Sequence, residues 1–441
     1  MPAGDITQGY TFVPAEKNID APKMNAIVGQ ASINPVFVSG QVQASSTAAG
    51  DYFLLYKANG TLAKILYDDL ASSLAAATGF QQQVWAVRLR SFNAIGNPNF
   101  EVDQRNAGTA VGMNQLAQDR WAFYKTGMTT AGWTAGQQTP TSRIQVPGTS
   151  FSISRTFIRL TLTTPQSTLA AGDFTYGIHQ VEGPSFRELQ DDVHSLQLLV
   201  RSSVAPVSFG VALTDQAPPT RTLTKLCTIP VANTWTLIQL PNLPIWPPTG
   251  NFQSDAGVAG YQLRFLFACG TGSMSPANDT WQNGNFFGAP GMSNFAANVA
   301  NSTFDIAFVQ HEPGPQCTTL IDKPFTQNLD ECLRYYTKSY LPTERPGTAS
   351  ASGIIVAPCA AGSGITQYQP FKKLMAKSPT MAIYSYVTGA ANTARDMGSN
   401  SDRTVTSVGQ ISQHGFGIIN LSTTNPAISW YAYAYIADTG F

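Results

Sequence analysis

Apolar and polar residues alternate with a period of two along most of this chain. Such strand signals recur at 152–163, 176–181, 195–201, 207–213, 235–240, 261–268 and 304–310, and the breaks between them carry Gly, Pro, Asn and Asp. That spacing predicts a β-sandwich. The pattern continues at 353–357, 380–387, 415–421 and 428–436. In the last run, Ile428-Ser-Trp-Tyr-Ala-Tyr-Ala-Tyr-Ile436, aromatic and small residues alternate, which sets Trp430 and Tyr431 on opposite faces of one strand. One departure is the stretch 270–300, rich in Gly, Asn and Ser. A loop of that length in a compact domain is functional or mobile.

The first 80 residues read differently. Asp20 caps a short helix starting at Ala21-Pro22, with Met24, Ile27 and Val28 on one face. Apolar runs at 51–56 and 62–67 flank Lys57-Ala-Asn-Gly60, and Asn-Gly between two such runs predicts a hairpin. A second short helix, 68–77, is closed by Gly79. The segment 81–93, with Val84, Trp85, Val87 and Leu89, is a connecting strand or a trimerising stalk, and its shortness favours the strand. The expected organisation is a module at 1–80, a connector at 81–96, a sandwich at 97–340 and a β-rich region at 341–441 that packs on or extends it.

Composition narrows the functional class. Charged residues are 12% of the chain and the formal net charge is zero, so a nucleic-acid partner is not expected. The five cysteines (227, 269, 317, 332 and 359) are widely spaced without a Cys-x-x-Cys pair, which points to thiols kept in a reducing cytoplasm. No apolar run approaches the roughly 20 residues that span a bilayer, and no signal peptide is apparent, so neither membrane insertion nor export by a leader is expected.

A set of motifs carries a resemblance. Asn97-Pro-Asn-Phe-Glu-Val-Asp-Gln-Arg105 is followed by Asp119-Arg-Trp121, then by Tyr176-Gly-Ile-His-Gln-Val-Glu-Gly183, Trp235, Phe304 to Gly314, Glu331-Cys-Leu-Arg-Tyr-Tyr-Thr-Lys338 and Lys377-Ser-Pro-Thr380. In this order, over about 97–385, the set resembles fibre and decoration proteins of tailed bacteriophages that carry a carbohydrate-binding-module-like jelly roll. The resemblance implies a structural virion protein of the tail or head, synthesised in the host cytoplasm and released by lysis. It is fixed through its N-terminus to capsid or tail proteins and presents a sandwich that meets host surface glycans. The expected fold is mainly β: a jelly-roll sandwich with a small N-terminal attachment module and a β-rich C-terminal region. A homotrimer is expected, with Met24, Ile27 and Val28 burying against the virion or sister chains. The competing reading is a polysaccharide-degrading tailspike, a glycoside hydrolase or esterase.

Catalytic chemistry finds little support. There is no Gly-x-Ser-x-Gly elbow, and His179, His194, His311 and His414 lie in or beside predicted strands, where packed or surface roles are expected. Hydrolysis needs two carboxylates at a defined separation, and the nearest cluster is Glu182, Glu188, Asp191 and Asp192. Glu182 and Glu312, each at a strand end, suit structural hydrogen bonding. Asp191-Asp192 and Asn278-Asp279 could offer oxygen ligands to calcium, but neither has the spacing of a calcium loop. No enzyme activity, cofactor or metal is therefore expected. Sugar rings pack on exposed aromatic faces, which makes the Trp residues of predicted loops, Trp133, Trp246 and Trp281, the candidate glycan platforms; the simpler reading of each is that it caps the sandwich or fills a subunit interface. Trp121 and Trp235 are expected in the core.

Overall fold

The computed structural model describes strands 52–56 and 62–66 together with residues 92–441, apart from 154, 216, 219, 360–363 and 423–428. The chain divides into two compact units, residues 1–88 and 89–441. In the first, β1 (Tyr52–Tyr56) pairs antiparallel with β2 (Leu62–Leu66), Tyr52 opposite Leu66 and Tyr56 opposite Leu62, as expected from the two apolar runs. The expected helices at 21–28 and 68–77, Met24, Ile27 and Val28, the turn at Asn59-Gly60 and the segment 81–91 lie outside the described residues.

The second unit opens its sheets with β3 (Gln115–Gln118), β4 (Trp121–Thr126) and β5 (Gly132–Gln138), followed by a small hairpin of β6 (Ile144–Gln145) and β7 (Ser152–Ile153). Then come β8 (Phe157–Thr164), β9 (Phe174–Glu182), α1 (Gly183–Arg187), β10 (His194–Ser202), β11 (Val207–Thr214), β12 (Arg221–Ile229) and β13 (Thr236–Leu243). After them run β14 (Ala259–Cys269), β15 (Trp281–Asn283), β16 (Thr303–Pro313) and α2 (Phe325–Leu333).

Strand order identifies the sandwich. One sheet runs β13-β10-β16-β8-β5 and the other β15-β12-β11-β14-β9-β4-β3, with antiparallel pairing throughout. Among the eight strands β8 to β14 and β16, the first, third, sixth and eighth form one sheet in the order sixth-third-eighth-first. The rest form the other in the order fifth-fourth-seventh-second. That is the double Greek key of a jelly roll.

The alternation explains the core. Ile158, Leu160 and Leu162 of β8, Leu196, Leu198 and Val200 of β10, and Tyr261, Leu263, Phe265 and Phe267 of β14 all point between the sheets and are buried. At about 25 cal/mol per Å² of apolar surface removed from water, burial on this scale is the main term holding the sheets together. A second apolar cluster, including Ile144, Ile153, Phe157, Leu199 and Phe308, seats the β6–β7 hairpin beside the sandwich. The stretch 270–300 is built rather than open: it contains β15 and two 3-10 turns and buries Ala289, Phe295 and Ala296.

The C-terminal region is a small closed barrel. It uses β17 (Tyr336–Lys338), β18 (Ile355–Cys359), β19 (Ile365–Pro370), β20 (Thr380–Tyr384), β21 (Thr393–Asp396), β22 (Ser401–Gly409), β23 (Gly415–Leu421) and β24 (Ser429–Asp438). The pairings β24-β18, β18-β19, β19-β23, β23-β22, β22-β21 and β21-β24 form a ring, which removes unpaired edges from those strands. The second half of β24 continues past the ring between β17 and β20. Tyr431, Tyr433 and Tyr435 face inward onto Phe371, Phe416 and Ile383, while Trp430, on the opposite face, is 55% exposed.

Candidate functional site

Two constellations use the residue types that the sequence singled out. The first is a buried polar junction between jelly roll and barrel, assembled from the motif residues themselves. Asn97 adopts the left-handed conformation (φ 52°), which Asn tolerates because its side chain can close a local turn. Its Nδ2 donates to the carbonyls of Val102 (2.8 Å) and Asp119 (3.0 Å), its Oδ1 accepts from Val102 N, and its own carbonyl accepts from Trp121 Nε1 at 3.1 Å. Phe100 packs at 4.9 Å on the fully buried Trp121. Asp119 Oδ2 accepts from the backbone and side chain of Gln104 (3.1 and 3.0 Å), and Asp119 Oδ1 lies 3.3 Å from Arg105 Nε.

From there the network crosses into the barrel. Arg105 forks onto Asp438 at the end of β24, with Nη2 to Oδ1 at 2.9 Å and Nη1 on Oδ2, and its guanidinium lies 4.1 Å from the Tyr336 ring centre. Burial alone would lower the Arg105 pKa, but the Asp438 carboxylate outweighs it and the result is raised. Burial holds Asp119 up at about 6 against the pull of Arg105. Lys338, fully buried, donates to the carbonyls of Gln104 (2.6 Å), Pro342 (3.1 Å) and Glu344, and burial brings its pKa down to about 8. Glu182 receives Arg334 Nε (2.9 Å) and Nη2 (2.7 Å), Tyr335 OH (2.6 Å) and Gly257 N (2.7 Å). Burial would raise its pKa, but these four donors bring it below the ordinary value. Every anion here has a cation or several N–H donors, as buried charge requires. The structural role expected for Glu182 is met, while Glu188, Asp191 and Asp192 are exposed and apart from this network.

The second constellation lies on the outer face of the seven-stranded sheet. Tyr124 of β4 and Tyr176 of β9 point away from the core and stack at 5.6 Å with their planes 25° apart. Phe174 stacks on Phe287 at 3.9 Å and 6°, and Arg264 lies 4.5 Å from the Phe287 ring centre. Arg264 also grips Gln262 Oε1 through Nε (3.0 Å) and Nη2 (2.6 Å) and Asn285 Oδ1 through Nη1 (2.7 Å); burial lowers its pKa to about 10. The rings are half-buried, so part of each remains accessible beside fixed polar groups. The period-two alternation marks these residues as outward, but an assumption that strand aromatics are core residues passes over them.

The three tryptophans expected in loops stand elsewhere. Trp133 is on β5, 4% exposed and stacked on Phe295 at 6.0 Å, and Trp246 is 7% exposed. A stacking platform must offer a ring face to solvent, so both are corrected to core residues. Flanking Gly or Pro suggests a loop for each, yet Gly132 and Gly136 lie within β5. Trp246 and Trp281 are brought together, ring centres 5.3 Å apart; Trp281 is half-buried on β15 and donates to the carbonyl of Ile245 at 3.0 Å.

Trp246 covers a buried hydrogen-bonded chain. Tyr261 OH donates to His311 Nδ1, His311 Nε2 meets His194 Nδ1 at 2.8 Å, and His194 Nε2 reaches the Pro244 carbonyl at 3.1 Å. One set of tautomers satisfies all of these groups with both imidazoles neutral. Burial lowers the pKa of His194 to about 4 and that of His311 well below its ordinary value. His179, also buried, has its pKa well lowered by burial and by Arg120. His414 is exposed. Trp121 is core as expected, whereas Trp235 is half-buried under Arg201, 4.4 Å from its ring centre. Among the described residues, no group of three or more His, Cys, Asp or Glu side chains is gathered as a metal site needs, and no helix is long and apolar enough to cross a membrane.

Comparison with known proteins adds likeness at the level of solved structures. No protein family matches the chain, and no curated protein does. A family 11 carbohydrate-binding module from Clostridium thermocellum aligns over 47% of this chain and 98% of its own length at 8% identity and a TM-score of 0.25. A domain of tailspike protein 4 of bacteriophage CBA120 aligns over 50% of this chain and 21% of its own at 11% identity, TM-score 0.26. A sugar-binding protein from Bacteroides thetaiotaomicron, so described provisionally, aligns over 50% and 100% at 11% identity, TM-score 0.25. The strand order, rather than these distant likenesses, establishes the jelly roll here.

Proposed function

We propose that this chain is a structural fibre or decoration protein of a tailed-phage virion, anchored through residues 1–80, whose jelly roll contacts host surface glycans. The observation that carries the glycan role is the strip of half-buried aromatics on the outer sheet face, Tyr124 and Tyr176 beside Phe174 and Phe287. A pyranose packs its C–H face on such rings, and Gln262 and Gln180 face each other further along the same side of the sheet. The virion role rests on the sequence resemblance. Supporting it, the motif residues Asn97, Gln104, Arg105, Asp119, Glu182 and Arg334 are occupied in tying two β bodies together, which suits a load-bearing display protein better than a catalyst.

A shallow aromatic site contributes little affinity by itself, and many copies on one particle multiply it through linked binding events. The test is retention of full-length protein on immobilised host polysaccharide, with released reducing ends measured in parallel. Tyr124→Ala with Tyr176→Ala should abolish retention without unfolding the protein, and no reducing ends should accumulate. Sustained release would establish the tailspike hydrolase instead, and retention unaffected by the double substitution would remove the sheet face as the site.

A further inference from the structure

We infer that a cavity at the junction of jelly roll and barrel binds the carboxylate of a single acidic sugar, with Arg120 as its anchor. The cavity, about 290 Å³, is bounded by the chain at 92–96, the end of β9, α2 and Tyr335. It is distinct from the outer sheet face, and it goes beyond the proposed role in naming a second site and the charge of its ligand.

Arg120 is the anomaly that points to a ligand. Gln118 pairs with Trp121, so Asp119 and Arg120 are the two central residues of a tight turn, and Arg120 has φ 75°. A glycine is the usual occupant of that position, because a side chain is strained there. The guanidinium is held flat, 3.6 Å from the Tyr335 ring centre, and Nη2 donates to the Gln180 carbonyl. Yet Nε and Nη1 have no hydrogen-bond partner although Arg120 is only 4% exposed. Buried donors of that kind are ordinarily satisfied, and each left unmade is costly.

The other cations on the wall are already matched: Lys323 with Glu331 (2.8 Å), Arg334 with Glu182 (2.7 Å), and Lys373 with Asp330. Among the described residues Arg120 has no carboxylate. Arg120 is part of the cavity wall, so an acidic group entering there would meet a guanidinium with no carboxylate of its own, a partner suited to carboxylate recognition. The remaining surface is mixed, with Phe92, Ile95 and Tyr335 offering apolar contact and Ser185 and Gln327 offering hydroxyl partners. The volume lies at the lower end of the roughly 300–1,000 Å³ of small-molecule sites, which suits one ring and not a chain. A terminal or branching uronic-type sugar of a host polysaccharide fits these requirements.

The experiment is calorimetric titration of the full-length protein with glucuronate, glucose, acetate and inorganic phosphate. Glucuronate should bind at millimolar concentration, one per chain, about ten-fold or more tightly than glucose or acetate, since it combines the charge-assisted contact with the ring contacts. Arg120→Gly, which suits the turn, should abolish that binding while the circular dichroism spectrum is kept. Gln327→Trp, on the exposed mouth of the cavity, should block entry without touching Arg120, and decides the matter if Arg120→Gly does not fold. Equal binding of glucuronate and glucose, or binding that survives Gln327→Trp, would overturn the inference. Acetate or phosphate binding as tightly as glucuronate would reduce the cavity to a general anion site and overturn the sugar assignment. Retention on host polysaccharide with glucuronate inactive would sink this site and leave the sheet-face reading standing.

Discussion

In the jelly roll, two broad sheets press an apolar core between them, and the buried polar groups Tyr261, His311 and His194 satisfy one another in a line. In the barrel, closure depends on one strand, β24, whose far end is gripped from outside by Arg105 of the jelly roll. One body is held from within; the other borrows part of its hold from its neighbour. The difference assigns a task to the Asn-x-x-Phe to Gln-Arg motif. It fixes the Asp119 turn and projects Arg105 and the Gln104 carbonyl onto Asp438 and Lys338, so damage to the motif should weaken the barrel more than the sandwich.

The largest effect that would sharpen this comparison is removal of the grip. Arg105→Ala leaves Asp119 and Asp438 facing each other's surroundings without their cation, and breaking one side of a buried pair costs about 3–5 kcal/mol. Limited proteolysis of the variant should cut first within 336–441 and leave the jelly roll whole. First cuts in the jelly roll would reverse the assignment.

Trp246→Ala should be comparably severe for the sandwich, about 3–5 kcal/mol, because it opens a cavity over Phe186, Tyr261 and the histidine chain. Its barrel counterpart, the exposed Trp430, should change stability by no more than about 0.5 kcal/mol on substitution by Ala. Chemical denaturation of both variants tests the contrast, and a large loss with Trp430→Ala would mean that it packs against something in the assembled particle or in another copy.

Acidification separates the two bodies by a smaller effect. His179, His194 and His311 all belong to the jelly roll, and their folded pKa values lie below the ordinary 6.5. The unfolded chain therefore binds protons that the fold does not, and stability present above about pH 6.5 is lost as pH falls toward about 4 for His194. Between pH 7.5 and 5.5 each imidazole should remove about 1.4 kcal/mol. Asp119, held up at about 6, acts in the opposite direction and offsets part of this loss. Denaturation midpoints at the two pH values should fall for wild type and fall less for His179→Asn. An unchanged midpoint would show that the histidines are hydrated.

Much of the fold was legible from alternation alone, because strands buried on one face leave a period-two record; β9, β10, β11, β14 and β16 all lie on predicted runs. What escaped had a physical reason. β12, Arg221-Thr-Leu-Thr-Lys-Leu-Cys-Thr-Ile229, puts Leu223, Cys227 and Ile229 on its core face but breaks that face with Lys225, while Thr222 and Thr224 on the other face are buried through hydrogen bonds. Trp133 and Trp246 looked loop-bound because local Gly and Pro say nothing about what later packs over them. Tyr124 and Tyr176 illustrate the converse, being strand residues on an outward face. Barrel closure was not readable at all, since the pairing of β21 with β24 joins segments that nothing local connects. The cavity at Arg120 was equally hidden: it is formed by residues from 92 to 373 in sequence, and its signal, an arginine where a turn prefers glycine, needs the backbone dihedral to be seen.

The most direct test of the motif's role is native-state hydrogen exchange on the full-length protein and on Arg105→Ala, comparing amides of β24 with those of β14. In the wild type both strands should open at similar free energies, because the junction couples them. In the variant, β24 should exchange by a separate, lower-energy opening while β14 keeps its protection. Loss of protection by equal amounts in both strands, or independent opening already in the wild type, would contradict the claim that the motif ties the barrel to the jelly roll.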